Sequence, residues 1–145
     1  MKRIKIKRVK QKHETGCGIA CVATLSNKKY DQVLDDSREL FLWGERKSSF
    51  YTSGKNIRDL LKSYGIESDR GRRIASWKNL MGRCSTAIVA VNPHGRYWHW
   101  VVFIKEKNGE FILDPNPKVK TEKRTDFGRM RIKSFIPVKS ALNFC

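Results

Sequence analysis

Four residues of this 145-residue chain bring together a thiol and the polar groups that make a thiol reactive: Gln11, Cys17, His99 and Asp114. A thiol attacks as its thiolate, and both the start of a helix and a neighbouring imidazolium favour that form. Cys17 stands where an apolar helix should begin, and the glycines at 16 and 18 would leave it uncrowded. The four residues therefore predict a cysteine-dependent hydrolase that cleaves a peptide or amide bond.

The other three residues have separate roles in this prediction. His99 lies within an apolar strand pattern that would hold its ring in place as the base. Asp114 ends the next strand and would orient that ring through a hydrogen bond. Gln11 precedes Cys17 by six residues, and its amide would donate to an oxyanion, a contact worth roughly 3–4 kcal/mol of barrier. A cysteine on a helix of small residues is more often a packing residue, so the combination carries the prediction.

The residues around these positions resemble a known family. The motifs are Gln11-x5-Cys17-Gly18-x-Ala20-Cys21, then His99-Trp100-Val101-Val102, then Leu113-Asp114-Pro115. Their order and spacing resemble the cysteine peptidases that process double-glycine leaders of bacteriocins, which belong to the papain-like superfamily. The resemblance implies Cys17 as nucleophile, His99 as base, Asp114 as orienting group and Gln11 as oxyanion donor. It also implies a peptide or protein substrate and a structural role for Cys21.

The chain departs from that family in two respects. The bacteriocin processors are usually the N-terminal part of a membrane transporter, whereas this sequence shows no transmembrane segment and no ATPase motif. Gly16 stands directly before the nucleophile, where the family often has an acid. The resemblance therefore extends to the catalytic machinery more firmly than to the substrate.

The first half of the chain is predicted to be helical. Apolar periodicity indicates helices over 17–26, 30–42 and 56–64. Thr15 or Gly16 would cap the first of them, and Ser76 would cap a further short helix. In the loop over 43–55, Trp43 and Tyr51 would either line a substrate groove or anchor the core.

The second half is predicted to form a sheet. Strands are expected over 86–91, 97–104, 111–114 and 132–138, with a basic turn at 70–73 and a basic irregular segment over 115–133. Pro137 favours a sheet edge for the last strand, and alternation of Ile4 and Ile6 with lysines favours an edge strand near the start. We expect one α+β domain over 1–145, papain-like, with N-terminal helices packed on a C-terminal antiparallel sheet.

The hairpin signal at Asn108–Gly109 conflicts with the proposed role of Asp114. A tight turn at these two residues would place Asp114 opposite Phe103, four residues from His99. Four residues along a strand span roughly 13 Å. A bulge, a longer loop or strong twist is needed to bring the two side chains together.

The composition is strongly basic, with a formal net charge of +17. This charge favours an anionic partner such as nucleic acid, an acidic membrane surface or an acidic protein, although phage- or plasmid-style composition explains it equally well. The basic runs over 2–12 and 118–133 contain few aromatic residues, so phosphate contact is expected rather than base stacking.

Several alternatives remain at this point. The sequence is compatible with an RNA-cleaving toxin or another nucleic-acid-directed protein on the same scaffold, with a thiol acyltransferase or amidase, and with an inactive binding module. The four cysteines show no zinc-ligand spacing, so no metal and no cofactor are expected. The start of the chain lacks the apolar stretch of a signal peptide, so a cytoplasmic location is expected. The oligomeric state stays open.

Overall fold

The computed structural model describes residues 6–139, and its first half is helical as predicted. Helix α1 spans Cys17–Ser26, α2 spans Tyr30–Leu40 and α3 spans Gly54–Ser63. Helix α2 ends two residues earlier than predicted. Helix α3 begins two residues earlier, because Ser53 and Asn56 form a reciprocal capping box that the periodicity of apolar residues does not reveal.

The second half forms an antiparallel sheet, which confirms the predicted α+β architecture. Its elements are β1 (Glu67–Ser68), β2 (Arg72–Arg73), α4 (Trp77–Met81), β3 (Thr86–His94), β4 (Tyr97–Glu106), β5 (Gly109–Leu113), a 3-10 turn (Phe127–Arg129) and β6 (Ile132–Lys139). The strand order is β1-β6-β3-β4-β5, and β2 also pairs with β6. Ser76 caps α4 as predicted, since its hydroxyl accepts from the backbone N–H of Asn79.

Two predictions about the sheet, the edge position of the last strand and the turn over 70–73, are wrong, and the edge strand predicted around Ile4 and Ile6 lies partly outside the described residues. Strand β6 lies inside the sheet, between β3 and the short strands β1 and β2. Pro137 faces the break between β1 and β2, where its carbonyl accepts from the Asp69 N–H. The predicted turn over 70–73 contains β2. Residues 6–10 form no strand, and Ile4 lies outside the described residues. Two-residue strands carry too little periodicity to be recognised in a sequence.

The β4–β5 hairpin removes the conflict over Asp114. Its turn lies at Lys107–Asn108, one residue before the predicted position, and Gly109 begins β5 with a φ of 133°. Glu106 therefore pairs with Gly109, and Val102 pairs with Leu113. The next position along this register places Asp114 beside Val101, two residues from His99 rather than four.

The sheet separates two apolar layers. Helices α1, α2 and α3 cover one face, against which Trp100, Val102 and Ile104 of β4 pack. Helix α4 and the segment before β6 cover the other face, where Val101 and Phe103 are buried. This confirms the predicted alternation of β4, with Trp98 and Trp100 on one side and His99 on the other. Within residues 6–139, no helix combines the length and apolar character needed to cross a membrane.

Candidate active site

Cys17 is the first residue of α1, and it is almost completely buried. Gly16 is the N-cap, which was one of the two alternatives predicted. No side chain caps this end of the helix. Thr15 has a different function, because its hydroxyl accepts from the Phe50 N–H at 2.7 Å and holds the 41–53 loop against the helix start. The free N–H groups of the first turn and the helix dipole favour a negative charge at Cys17.

The glycines on either side of Cys17 make room for protein side chains. A Cβ at Gly16 would lie 2.0 Å from the Tyr30 hydroxyl oxygen, and one at Gly18 would lie 1.8 Å from Thr52 Oγ1. The space that we expected to stay open is therefore occupied. Because Tyr30 fills the space beside Gly16, a larger side chain would not fit there.

His99 and Asp114 are joined by a hydrogen bond of 2.7 Å between Nε2 and Oδ1. Asp114 is buried, whereas the His99 side chain keeps about a quarter of its surface exposed. Burial lowers the pKa of His99, but hydrogen bonds and charges from Asp114 and Cys17 raise it, and the resulting pKa is about 9 instead of 6.5. The ring is therefore protonated at neutral pH in the folded protein.

The backbone of β4 also contacts the thiol. The Trp100 N–H points at Cys17 Sγ across 3.5 Å, and the Trp100 indole N–H donates to the Thr52 carbonyl at 3.0 Å. Trp100, the residue next to His99, therefore contacts both the start of α1 and the loop before α3. The structure thus brings three of the four predicted site residues together.

Arg124 is a site residue that the sequence did not identify. Its Nη1 donates to Asp114 Oδ2 at 2.7 Å, while its Nε and Nη2 make a bidentate contact with Asp126 at 2.7 and 2.9 Å. Burial alone would raise the pKa of Asp114, but its hydrogen bonds from His99, from the Asn116 N–H and from Arg124 lower it. Arg124 comes from the predicted irregular segment, where nothing in the sequence distinguishes it from the other basic residues. Its backbone bridges to Ile112 and so places it beside β5.

Gln11 lies in the loop before α1. Its side-chain Nε2 donates to the carbonyls of His13 and Glu14 at 3.0 and 3.1 Å, and its own N–H donates to the Pro115 carbonyl at 2.8 Å. These contacts attach the loop to the segment after Asp114. Gln11 Oε1 is buried and has no hydrogen-bond partner among the described residues.

A pocket of about 300 Å³ opens beside the thiol. Its lining residues include Cys17, Thr52, Arg96, Tyr97 and Trp98. Tyr51 also lines the pocket, which was one of the two roles predicted for it. Its ring stacks on that of Tyr97 with centroids 4.8 Å apart. Trp43 instead packs against the core. Sequence reasoning missed the 92–98 hairpin as part of this pocket, because the hairpin reaches Cys17 only through long-range pairing.

Cys21 and two of the basic residues have structural surroundings. Cys21 is completely buried one turn below Cys17, and burial raises the pKa of its thiol well above the ordinary value. The Arg8 side chain is only 1% exposed and donates to the carbonyls of Asp114 and Val119 and to Glu122. Arg8 and Arg124, one from each predicted basic run, thus bind the protein itself. Nucleic-acid binding stays a prediction from composition.

The described residues contain no group of three or more His, Cys, Asp or Glu side chains arranged to hold a metal ion. The polar residues around Cys17 instead suit covalent thiol chemistry, which requires a nucleophile, a base and an orienting acid.

Known proteins resemble this chain in sequence profile and in fold. The profile of the peptidase C39 family matches residues 5–130. The peptidase domain of Streptococcus ComA, a bifunctional ABC transporter involved in quorum sensing, superposes with a TM-score of 0.63, at 23% identity over 92% of this chain and 98% of that domain. A double glycine motif protease from an AMS/PCAT transporter, solved in complex with the leader peptide, superposes with a TM-score of 0.67, at 23% identity over 96% of this chain and 94% of that protease. No curated protein sequence matches the chain.

Fold and profile together define a cysteine peptidase with the papain-like arrangement of helices and antiparallel sheet that the sequence predicted. The profile covers most of the chain, from before the cysteine motif to beyond the aspartate motif. The chain belongs to the peptidase C39 family.

Proposed function

We propose that this peptidase cleaves the peptide bond that follows a double glycine, with Cys17 as nucleophile, His99 as base and acid, and Asp114 as orienting group. The observation that carries the proposal is the 2.7 Å hydrogen bond between His99 and Asp114 together with the placement of Cys17 Sγ against the backbone N–H of Trp100, the residue next to His99. The neighbour solved with a leader peptide supports a peptide of that kind as the substrate.

The reaction proceeds through an acyl-enzyme. Cys17 Sγ attacks the scissile carbonyl carbon, and the carbonyl electron pair moves to the oxygen. When the tetrahedral intermediate collapses, the C–N bond breaks and the His99 imidazolium gives its proton to the leaving amine. Water then attacks the thioester with neutral His99 as base, and the C–S bond breaks to restore the thiol and release the carboxylic acid.

His99 and its partners are arranged for the first of these steps. A pKa of about 9 keeps the ring protonated at neutral pH, and a protonated ring is the partner that a thiolate needs. Asp114 accepts from the ring, and Arg124 fixes the second carboxylate oxygen, so the ring is held in one orientation. Activity should therefore decline as the pH rises above about 9.

We assign the oxyanion to the Cys17 backbone N–H, at the uncapped start of α1, and to the Gln11 amide. The Gln11 amide would exchange one of its two backbone carbonyl partners for the oxyanion. Gln11→Ala should then reduce kcat by roughly 100-fold or more without a matching change in KM. An unchanged kcat would remove Gln11 from the mechanism.

The test is cleavage of synthetic peptides that contain a double glycine preceded by a leader-like helix, followed by mass spectrometry. The wild type should cut after the second glycine, Cys17→Ala should not, and Cys84→Ala serves as the matched thiol control. Cleavage that survives Cys17→Ala would contradict the proposal. Added hydroxylamine should trap the Cys17 thioester as a hydroxamate, which reports the acyl-enzyme, whereas formation of an amide with a weakly nucleophilic amine acceptor in place of the acid would indicate acyl transfer.

A further inference from the structure

Two residues that line the pocket beside Cys17 have hydrogen-bond donors without an acceptor among residues 6–139. Thr52 and Trp98 are among the residues that line the pocket, and their Oγ1 and Nε1 atoms are buried without a hydrogen-bond partner among the described residues. Thr52 is 94% buried, since its exposed fraction is 6%. A buried donor without an acceptor costs free energy, so a native protein rarely keeps one without a bound partner.

Both groups are held where they are by the framework of the site. The Thr52 carbonyl accepts from the Trp100 indole, and Thr52 Oγ1 lies against Gly18 at the start of α1. The Trp98 ring packs edge-on against Trp100 with centroids 5.7 Å apart, and Lys133 Nζ lies 4.0 Å from its centroid. The Trp98 ring cannot turn to an acceptor elsewhere without breaking its contacts with Trp100 and Lys133.

The charged member of this pocket is Arg96. It lies in the turn between β3 and β4, after Gly95, whose φ of +60° allows the tight return of the chain. No acid lines the pocket within residues 6–139, and the ion pairs of that region do not include Arg96. This differs from Arg8 and Arg124, whose guanidinium groups are consumed by internal acceptors.

We propose that this pocket selects peptides with a carboxylate close to the scissile bond, with Arg96 binding the carboxylate and Thr52 and Trp98 binding neighbouring acceptor oxygens. A guanidinium pairs with a carboxylate through charge-assisted hydrogen bonds, and the two other donors also require acceptors. The net charge of +17 would attract such an acidic segment over longer distances. The proposal rests on the proposed function, since it describes the substrate of the same site.

The experiment uses acetylated and amidated double-glycine peptides in matched pairs. Within each pair, glutamate or glutamine occupies the same one of four positions, which are the residue directly before the double glycine and the three residues after the scissile bond. At one position or more, the wild type should show a kcat/KM about tenfold higher for glutamate. Arg96→Gln should abolish this preference, whereas Arg83→Gln, which removes the same charge from an exposed arginine outside the pocket, should keep it.

Equal rates for glutamate and glutamine at all four positions in the wild type would overturn the proposal for a side-chain carboxylate. Peptides with a free carboxyl terminus then test whether the carboxylate comes from the end of the chain instead of a side chain. If the free carboxyl terminus gives no Arg96-dependent increase in kcat/KM, the proposal is overturned completely. A preference that survives Arg96→Gln, or that Arg83→Gln removes equally, would also overturn it.

Failure of the proposed function is distinguishable. If the wild type cleaves none of these peptides, their binding to Cys17→Ala is measured by fluorescence anisotropy. Tighter binding of the acidic member that disappears in Cys17→Ala/Arg96→Gln would support the pocket assignment although the peptidase proposal failed. Equal binding of the glutamate and glutamine peptides would overturn the assignment. It would also be overturned if an oligonucleotide displaced the two peptides equally well.

Discussion

The two sides of Cys17 differ in how completely their polar groups are paired. On the side of His99, each oxygen of Asp114 accepts a short hydrogen bond, and Arg124 is held in turn by Asp126. On the side of the pocket, Thr52 Oγ1 and Trp98 Nε1 have no partner among the described residues. The first side is complete before substrate arrives, as preorganised catalysis requires, and the second is complementary to a ligand that the protein does not supply.

The largest effect is expected from Asp114→Asn, which keeps the shape of the side chain and removes its charge. His99 would lose the acceptor that stabilises its protonated form, so kcat/KM for peptide cleavage should fall roughly 1,000- to 10,000-fold. Asp126→Asn, on the far side of Arg124, is the control and should retain most activity. A loss of less than about tenfold for Asp114→Asn would contradict the role of this carboxylate.

Arg124→Met tests whether the ion pair between Arg124 and Asp114 stabilises the folded protein. The change removes one of the two cations that contact the buried Asp114 and leaves its Oδ2 without that partner, so the free energy of unfolding in urea should fall by about 3 kcal/mol. The alkaline limit of activity should move to higher pH, because the pKa of His99 rises when a nearby positive charge is removed. Arg129→Met, at an exposed position, should change the unfolding free energy by less than about 0.5 kcal/mol. Equal effects of the two variants would argue against the ion-pair network.

The raised pKa of His99 predicts a pH-dependent stability. Since the folded-state pKa of about 9 lies above the unfolded value of 6.5, protonation of His99 stabilises the folded state. This contribution is present in full below about pH 6.5 and is lost as the pH rises through about 9. The difference in unfolding free energy between wild type and His99→Gln should therefore shrink by up to about 3 kcal/mol from pH 6 to pH 10. A difference that does not vary with pH would contradict the shift.

The smallest effect on stability is expected on the unpaired side. Thr52→Val removes a hydroxyl that has no hydrogen bond to lose, so the unfolding free energy should stay within about 0.5 kcal/mol or increase. Thr24→Val is the matched control, because Thr24 Oγ1 donates to the Ala20 carbonyl and accepts from the Val9 N–H, and its loss should cost about 1–2 kcal/mol. A larger cost at Thr52 than at Thr24 would show that the pocket hydroxyl is paired after all. Cleavage by Thr52→Val should be severalfold slower.

The sequence predicted the parts of the site that have local signals. Cys17 was recognisable because small apolar residues follow it in a helical pattern, and His99 because it interrupts an alternating strand. Asp114 was placed correctly in the family order, but its distance from His99 depended on a one-residue difference in the Lys107–Asn108 turn. That difference decides whether the two side chains meet.

The parts that sequence reasoning missed depend on long-range contacts. Arg124 contacts Asp114 only because the segment after β5 folds back, and Arg96 reaches the pocket only because β4 carries the hairpin to α1. The position of β6 inside the sheet depends on β1 and β2, each of which has two residues. Periodicity and turn signals describe neighbours along the chain, so none of these contacts has a signature of its own.

The most direct test of the proposed chemistry is the rate at which iodoacetamide alkylates each cysteine between pH 5 and pH 10, measured by mass spectrometry in wild type and His99→Ala. The proposal predicts that Cys17 reacts faster than Cys84 at neutral pH, since His99 provides the positive charge that a thiolate needs. In His99→Ala the neutral-pH rate at Cys17 should fall by about tenfold or more, while Cys84 stays unchanged. A Cys17 rate that does not change when His99 is removed would contradict the assignment of these two residues as nucleophile and base.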